Sequence, residues 1–149
     1  MHTNISASGS ILSARKPPRS RHSVYSWSVP LVVVHGEPGR RRVNLMPAAE
    51  IAAELVNAIT ADLGERVGGE IILRVNGFGG TPLSELYLMY DAVRKRLEAA
   101  GSVVVRSLVG NYVTSLDMAG CSVTVSVLDE ETKRLWDAPV HAAALRWGV

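Results

Sequence analysis

Residues 70–109 read EIILRVNGFGGTPLSELYLMYDAVRKRLEAAGSVVVRSLV, and this stretch decides the fold class. It begins with a short apolar run, which is typical of a buried strand, and passes into a loop rich in glycine. The apolar residues that follow recur at helical spacing and are Leu86, Met89, Tyr90, Val93 and Leu97. A second apolar run comes after Gly101, a residue type that suits the end of a helix. The stretch therefore predicts a strand over 70–76, a helix over about 83–100 and a strand over 102–109.

The segments on the amino-terminal side extend this alternation of helices and strands. Residues 47–63 carry apolar side chains every four or five positions, which predicts a helix that begins at Pro47 and stops at Gly64. Further upstream, residues 31–34 form the unbroken apolar run LVVV, which predicts a buried strand. The glycines and the proline of residues 35–39 end that strand in a turn.

The carboxyl-terminal side adds shorter elements. Residues 114–119 predict one or two helical turns, and residues 121–128 alternate apolar with polar side chains as a half-buried strand does. Residues 129–136 predict a short helix, which is followed by an extended tail, and Trp136 and Trp147 are predicted to be packing residues. Because helices alternate with strands along the chain, the predicted fold class is α/β, with helices packed on a sheet.

Length and composition narrow the class of protein. The chain has 149 residues, enough for one domain with a single hydrophobic core. No apolar run approaches the roughly 20 residues that cross a bilayer, so we predict no membrane association. The single cysteine, Cys121, excludes an internal disulfide and a metal site built on paired cysteines. Its apolar surroundings favour a small buried side chain over a nucleophile, and a reducing cytoplasm is the expected compartment.

Positive charge is concentrated at the amino-terminal end, where residues 1–42 hold seven lysines and arginines against one acid, Glu37. A basic, serine-rich end is typical of a transit peptide, of a nucleic-acid-binding arm or of a solvated tail. The tail is favoured because Pro17 and Pro18 interrupt any amphipathic helix. Residues 1–30 also lack helical or strand periodicity, so we predict a disordered basic segment with no nucleic-acid partner.

His35 is the sharpest candidate for chemistry because it stands at the predicted end of a strand, where the loops of α/β sheets open ligand crevices. A neutral imidazole can take a proton or attack a carbonyl. A histidine beside a turn is also often held only by hydrogen bonds, and the residues alone leave both roles open. The adjacent arginines at 40–42 either attract an anion or form a solvated charge run. The loop 77–82 is either a weak anion cradle or a tight strand-to-helix turn, and the turn is favoured.

Four segments of the sequence resemble the substrate-binding subunit of the dihydroxyacetone kinase family. They are residues 35–41 (HGEPGRR), 76–87 (NGFGGTPLSELY), 105–120 (VRSLVGNYVTSLDMAG) and 136–140 (WDAPV). Their order and spacing match the family over about residues 34–148. The resemblance implies that residues 31–149 form the second, C-terminal domain of such a subunit, a mixed sheet with helices packed on it. Residues 1–30 match no part of the family.

The resemblance also implies that His35 is the catalytic and substrate-binding residue. In the family, the ε nitrogen of this histidine adds to the ketone carbonyl of dihydroxyacetone, and the hemiaminal fixes the substrate for phosphoryl transfer to its hydroxyl. No cofactor or metal is expected on this chain; ATP with Mg²⁺, or ADP, is expected on a nucleotide-binding or phosphotransferase partner subunit. The family's acid/base residues belong to the first domain, so the chain is expected to be incomplete alone. A homodimer is expected on the same ground.

Two other functions stay open at this point. Members of the family that sense dihydroxyacetone and contact transcription regulators imply a binding module without catalysis. A truncated gene would instead encode a folded fragment with no function. The sequence does not decide between these alternatives and a kinase component.

Overall fold

The computed structural model of the chain describes residues 11–14, 28–30, 42–44, 46–114 and 118–148, the first three ranges by their backbone alone. In chain order its elements are β1 (Ile11–Ala14), β2 (Ser28–Pro30), β3 (Arg42–Asn44), α1 (Ala48–Leu63), β4 (Glu70–Gly77), α2 (Leu83–Ala99), β5 (Val103–Gly110), β6 (Ala119–Val127), α3 (Glu130–Trp136), β7 (Val140–Ala142) and β8 (Leu145–Trp147). One 3₁₀ turn, Gly64–Arg66, follows α1.

The main sheet has four strands in the order β1-β6-β4-β5. β5 runs parallel to β4, whereas β6 runs antiparallel to both β4 and β1, so the sheet is mixed. α2 connects the two parallel strands and lies against both of them, and α1 packs against α2. The predicted α/β class, a mixed sheet with helices packed on it, is therefore confirmed.

The hydrophobic core lies between the sheet and the two long helices. Side chains alternate along a strand, so every second residue of β4 and β6 points to the helices. The strand residues of this core are Ile71, Leu73, Val75, Cys121, Val123 and Val125, and its helix residues include Leu55, Ile59, Leu86, Val93 and Leu97. Removal of these side chains from water is the main stabilising contribution, at about 25 cal/mol per Å² of apolar surface. The apolar residues that recur at helical spacing in the sequence are the ones that α1 and α2 bury in this core.

The predicted ends of both long helices agree with the structure to within a residue. Pro47 immediately precedes α1, and Gly64 caps it with a φ of +56° and a bond from its N–H to the carbonyl of Thr60. Gly101 follows α2 with a φ of +95°, a backbone angle that glycine adopts without strain. The glycines at these two positions therefore stop the helices for a conformational reason.

The prediction of helical turns over residues 114–119 is wrong at its end. Ala119 is the first residue of β6, and Met118 forms a bridge with Gly79. The Gly80 N–H donates to the Met118 carbonyl at 3.0 Å, and that of Phe78 donates to the Gly120 carbonyl at 3.2 Å. These hydrogen bonds between distant parts of the chain hold the backbone extended, and they outweigh the local preference of these residues for a helix.

The extended tail is more ordered than the sequence predicted. Its residues form a two-stranded antiparallel pair, β7 with β8. The rings of Trp136 and Trp147 lie 5.4 Å apart between centroids, and the indole N–H of Trp147 donates to the Ala138 carbonyl at 2.8 Å. The predicted packing role of both tryptophans is confirmed. The predicted strand at 31–34 and turn at 35–39 lie outside the described residues.

Candidate functional site

The parallel strands β4 and β5 end side by side, with Asn76 opposite Gly110 in the register. Two loops leave from this edge, residues 77–82 towards α2 and residues 111–114 beyond β5. Ligands of α/β sheets collect at the carboxyl ends of parallel strands because the connecting loops diverge there. We call these two loops, together with Met118–Gly120, the loop edge.

The side chain of Asn76, near the end of β4, holds the loop that follows β5. Its side-chain oxygen accepts hydrogen bonds from the backbone N–H groups of Tyr112 and Val113, both at 2.9 Å. Its side-chain NH₂ donates to the Val113 carbonyl at 2.8 Å. The residue is only 3% exposed, so the bonds lie away from solvent, where an unpaired amide is costly.

The glycine loop is a tight turn whose N–H groups are already used. Phe78 and Gly80 donate to backbone carbonyls of residues 118–120, and the Gly79 N–H donates to the side-chain oxygen of Asn111 at 3.3 Å. An anion cradle needs N–H groups that point at the ligand. Because three successive N–H groups have protein partners, the turn is the better description of this loop.

Close approach explains two glycines of the loop edge. A Cβ atom on Gly77 would collide with the side-chain oxygen of Asn111 and lie 2.8 Å from Cδ1 of Leu86. A Cβ atom on Gly110 would lie 2.9 Å from the ring of Tyr112. Both distances are shorter than real Cβ contacts, so a side chain at either position would displace the neighbouring side chains.

Thr81 ties the glycine loop to β6. Its hydroxyl oxygen accepts a hydrogen bond from the Gly120 N–H at 2.6 Å and donates to the Gly120 carbonyl at 3.1 Å. Three side chains, those of Asn76, Asn111 and Thr81, therefore join the parts of the loop edge by bonds to backbone. No local sequence pattern marks these residues, although each lies within a segment that resembles the kinase family.

Apolar side chains are exposed beside this rigid edge. Val113 is 67% exposed, and Leu83, Tyr87 and Leu88 in the first turns of α2 are also exposed. Single exposed apolar residues are ordinary, whereas a group of them marks a surface that other proteins or domains contact.

The opposite end of the sheet is held by ion pairs. Lys133 Nζ lies 2.8 Å from a carboxylate oxygen of Glu70, at the beginning of β4. Arg106 on β5 binds Asp137, which follows α3. Each carboxylate raises the pKa of its basic partner through the hydrogen bond. These pairs fasten α3 to the sheet.

His35 and the arginines at 40 and 41 lie outside the described residues, so the structure does not place the predicted catalytic and substrate-binding residue. Arg42 begins β3 and is described by backbone alone. Within the described ranges, no three His, Cys, Asp or Glu side chains are grouped so that they hold a metal ion. No helix in that same part of the chain has the length and apolar character needed to cross a membrane.

Buried Cys121 is the remaining predicted feature. Desolvation raises the pKa of its thiol to about 12, so the thiolate that a nucleophile requires is scarce at neutral pH. The side chain belongs to the hydrophobic core. The structure therefore supports the prediction of a packing role over a chemical one.

The described elements form an α/β domain whose loop edge lies at the carboxyl ends of its two parallel strands. Residues 32–144 match the model of the Dak1 domain, and the chain belongs to that family. The resemblance to dihydroxyacetone kinase substrate-binding subunits is thereby confirmed.

Kinases of small ketoses are among the curated relatives. The L-erythrulose 1-kinase of Mycolicibacterium smegmatis is 41% identical over 132 residues, which are 86% of this chain and 23% of the relative. The dihydroxyacetone-binding subunit DhaK of the PEP-dependent dihydroxyacetone kinase of Escherichia coli is 52% identical over 81 residues, 54% of this chain and 23% of that protein. The chain therefore spans under a quarter of the length of these two relatives.

A solved structure resembles most of this chain. The dihydroxyacetone kinase operon co-activator Dha-DhaQ superposes with a TM-score of 0.70 and 32% identity, and the match covers 87% of this chain and 43% of that one. This chain is thus similar both to kinases and to a co-activator, two kinds of protein with different functions.

Proposed function

We propose that this chain binds dihydroxyacetone covalently through His35, as a component of a ketose kinase. The observation that carries the proposal is the match of residues 32–144 to the Dak1 domain, a span that includes His35 and the Gly-Glu-Pro-Gly sequence after it. The names of the relatives add that small ketoses are the substrates of similar proteins.

The chemistry of the proposed bond follows from a neutral imidazole and a ketone. The lone pair of Nε2 forms a bond to the carbonyl carbon, and the electron pair of the C=O bond moves to oxygen. The oxygen gains a proton and the ring loses one from Nδ1, which gives a neutral hemiaminal. A reversible covalent bond orients a small, flat substrate that few hydrogen bonds can hold, and leaves a terminal hydroxyl free to attack phosphorus.

The phosphoryl donor is proposed to come from elsewhere. Members of the family that the sequence resembles hold the nucleotide on another domain or subunit. ATP with Mg²⁺, or ADP in a phosphoenolpyruvate-driven relay, would accordingly belong to a partner subunit or domain. The chain is proposed to be incomplete alone, with residues 31–149 as the C-terminal domain and a homodimer as its assembly.

Intact mass spectrometry under gentle conditions tests the covalent bond. The wild-type chain should gain the mass of one dihydroxyacetone, and His35→Ala should gain nothing. Glycerol is the matched control ligand because it has the hydroxyls but no carbonyl. Erythrulose, which has one more hydroxylated carbon, tests whether the pocket accepts the substrate of the relative from Mycolicibacterium smegmatis. A folded wild-type chain with no adduct would contradict the proposal and would favour a fragment without function.

A non-catalytic binding module is the second candidate, and it is favoured by the similarity to the co-activator. A module of this kind would form the adduct but would not transfer phosphate. Purified donor subunits of an Escherichia coli type kinase, phosphoenolpyruvate and the acid/base half of that kinase's substrate-binding subunit, supplied together, separate the two. Dihydroxyacetone phosphate in that mixture, and none with His35→Ala, would indicate a kinase component; adduct without product would indicate a binding module.

A further inference from the structure

Asn76 and Gly77 form the one Asn-Gly pair of the sequence, since every other asparagine precedes a residue with a side chain. An asparagine loses its amide when the backbone nitrogen of the next residue attacks the side-chain carbonyl carbon. A side chain on that next residue hinders the attack, and glycine has none. The carboxyl end of β4 therefore carries the pair of residues at which deamidation is easiest.

The reaction needs only the chain and water. The Gly77 nitrogen gives up its proton, and its lone pair forms a bond to Cγ of Asn76. The bond from Cγ to the side-chain nitrogen breaks, and this nitrogen leaves as ammonia with the proton. Water then opens the five-membered ring at either carbonyl, which leaves aspartate or isoaspartate at position 76. In isoaspartate the main chain passes through Cβ and Cγ, so it is one atom longer.

The folded chain holds the reacting groups apart. Asn76 lies in an interior strand, opposite Gly110 on one side and Ser122 on the other, so its backbone is extended. Its amide is held by three hydrogen bonds to the backbone of residues 112–113 and is shielded from water and base. Ring closure requires rotation of the backbone between positions 76 and 77, which breaks both the strand pairing and these hydrogen bonds.

The product does not fit the place that protects the asparagine. A carboxylate at position 76 still accepts from two N–H groups, but it offers no donor to the Val113 carbonyl, now 2.8 Å from the side-chain nitrogen. Two acceptor oxygens would face each other in a buried position, which is worse than the loss of one bond. The longer chain of isoaspartate also needs room beside Gly77, where even a Cβ atom would collide with Asn111.

We propose that Asn76 is a site of spontaneous deamidation, and that opening of the loop edge controls its rate. The closed loop edge protects the amide, each opening exposes it, and the product then prevents the loop edge from closing as before. A group that reacts only from an open state reacts at its unfolded rate multiplied by the open fraction. The modification therefore accumulates with the time that this end of the sheet spends open, whether or not the chain binds a ketose.

Peptide mapping by mass spectrometry tests the proposal on the full chain, kept at pH 8 either in buffer or in denaturing guanidinium chloride. In the denaturant, position 76 should deamidate before Asn57 and Asn111, and Gly77→Ala should slow the reaction where folding plays no part. In buffer, the folded wild type should deamidate at Asn76 at least about tenfold more slowly than in the denaturant.

Thr81→Val loosens the loop edge without changing the reacting groups, because the Thr81 hydroxyl joins the glycine loop to Gly120 through two hydrogen bonds. This variant should speed deamidation of the folded chain and leave the rate in denaturant unchanged. Thr60→Val is the matched control, since the Thr60 hydroxyl bonds within α1, and it should leave both rates unchanged.

Hydrogen exchange of the wild type gives the open fraction without any variant. The slowing of deamidation by folding should equal the protection of the Tyr112 and Val113 amides, and should be smaller than the protection of Val123 in β6. A slowing that equals the Val123 protection, or equal effects of Thr81→Val and Thr60→Val, would mean that global unfolding controls the reaction, which overturns the proposal. Equal rates in buffer and denaturant, or faster deamidation at Asn57 than at Asn76 in denaturant, would overturn it as well.

Discussion

Arg106 and Asp137 form a two-pronged ion pair, in which Nε and Nη2 of the guanidinium each donate a hydrogen bond of 2.7 Å to one carboxylate oxygen. The pair joins the edge strand β5 to the residue that follows α3. Hydrogen bonding to the guanidinium lowers the pKa of Asp137. The planar fork of arginine matches a carboxylate, so this contact fixes direction as well as distance.

Asp137→Asn keeps the shape of the side chain and removes its charge, so the variant should unfold at a lower urea concentration at pH 7. A carboxyl whose pKa is lowered by folding stabilises the protein above its unfolded pKa of about 3.9. That stabilisation is lost as the pH falls through the lower folded value. The difference in unfolding midpoint between wild type and Asp137→Asn should therefore shrink as the pH falls below about 5 and through the lowered folded pKa.

Asp62→Asn is the control for this pH series, because Asp62 is exposed on α1. Its unfolding midpoint at pH 7 should not fall below that of the wild type, because an acid in the last turn of a helix does not stabilise it. A midpoint difference for Asp137→Asn that stays constant down to acid pH would mean that the charge of Asp137 contributes nothing through Arg106.

Arg74 is predicted to weaken the fold rather than support it. It points away from the helices, opposite Thr124, and its Nη2 donates to that hydroxyl at a long 3.4 Å. Its Nε atom is buried and has no hydrogen-bond partner in the described structure. Arg74→Met keeps the apolar length of the side chain, so we expect the free energy of unfolding to stay unchanged or rise by about 1 kcal/mol.

Urea unfolding measures this change, with Arg96→Met on the exposed side of α2 as the control. That control should alter stability by no more than about 0.5 kcal/mol. A loss of more than about 2 kcal/mol in Arg74→Met alone would show that the guanidinium is well paired in solution.

Cys121 should be unreactive while the chain is folded. Burial raises the pKa of its thiol to about 12, and the side chain is only 6% exposed. The reagent needs both access and thiolate. At pH 8, labelling by a disulfide reagent should be slow in buffer and fast in denaturing urea, and its rate across the urea series should follow the fraction unfolded. Fast labelling without urea would contradict the buried position.

The long helices were predictable because their signals are local. The apolar spacing defines the helix, and Pro47 and Gly64 each act on the helical turn beside them. Tertiary contacts then favour the same helix. The start of β6 was not predictable in this way. Met118 and Ala119 are held extended by the glycine loop, which is some forty residues away in sequence.

The hydrogen bonds that join the parts of the loop edge were also not predictable, because they too link residues that are distant in sequence. The role of Asn76 depends on the parallel register that sets it opposite Gly110, since this brings the N–H groups of the next loop within reach. No local pattern encodes that register. The resemblance to a family identified the segments, whereas their mutual bonds required the three-dimensional arrangement.

Gly77→Ala adds one methyl group and so tests how closely the two loops of the loop edge are packed. The added Cβ would collide with the side-chain oxygen of Asn111 and with buried Leu86, neither of which can move without loss elsewhere. Overpacking of this kind costs about 1–3 kcal/mol, so the unfolding temperature should fall by several degrees.

Gly69→Ala is the matched control, because a Cβ there meets no atom within 4 Å and its φ is negative or extended. It should leave stability unchanged or raise it slightly, by reducing the freedom of the unfolded chain. Equal effects of the two substitutions would show that the Asn111 side chain moves aside freely, and that the loop edge is less rigid than its hydrogen bonds indicate.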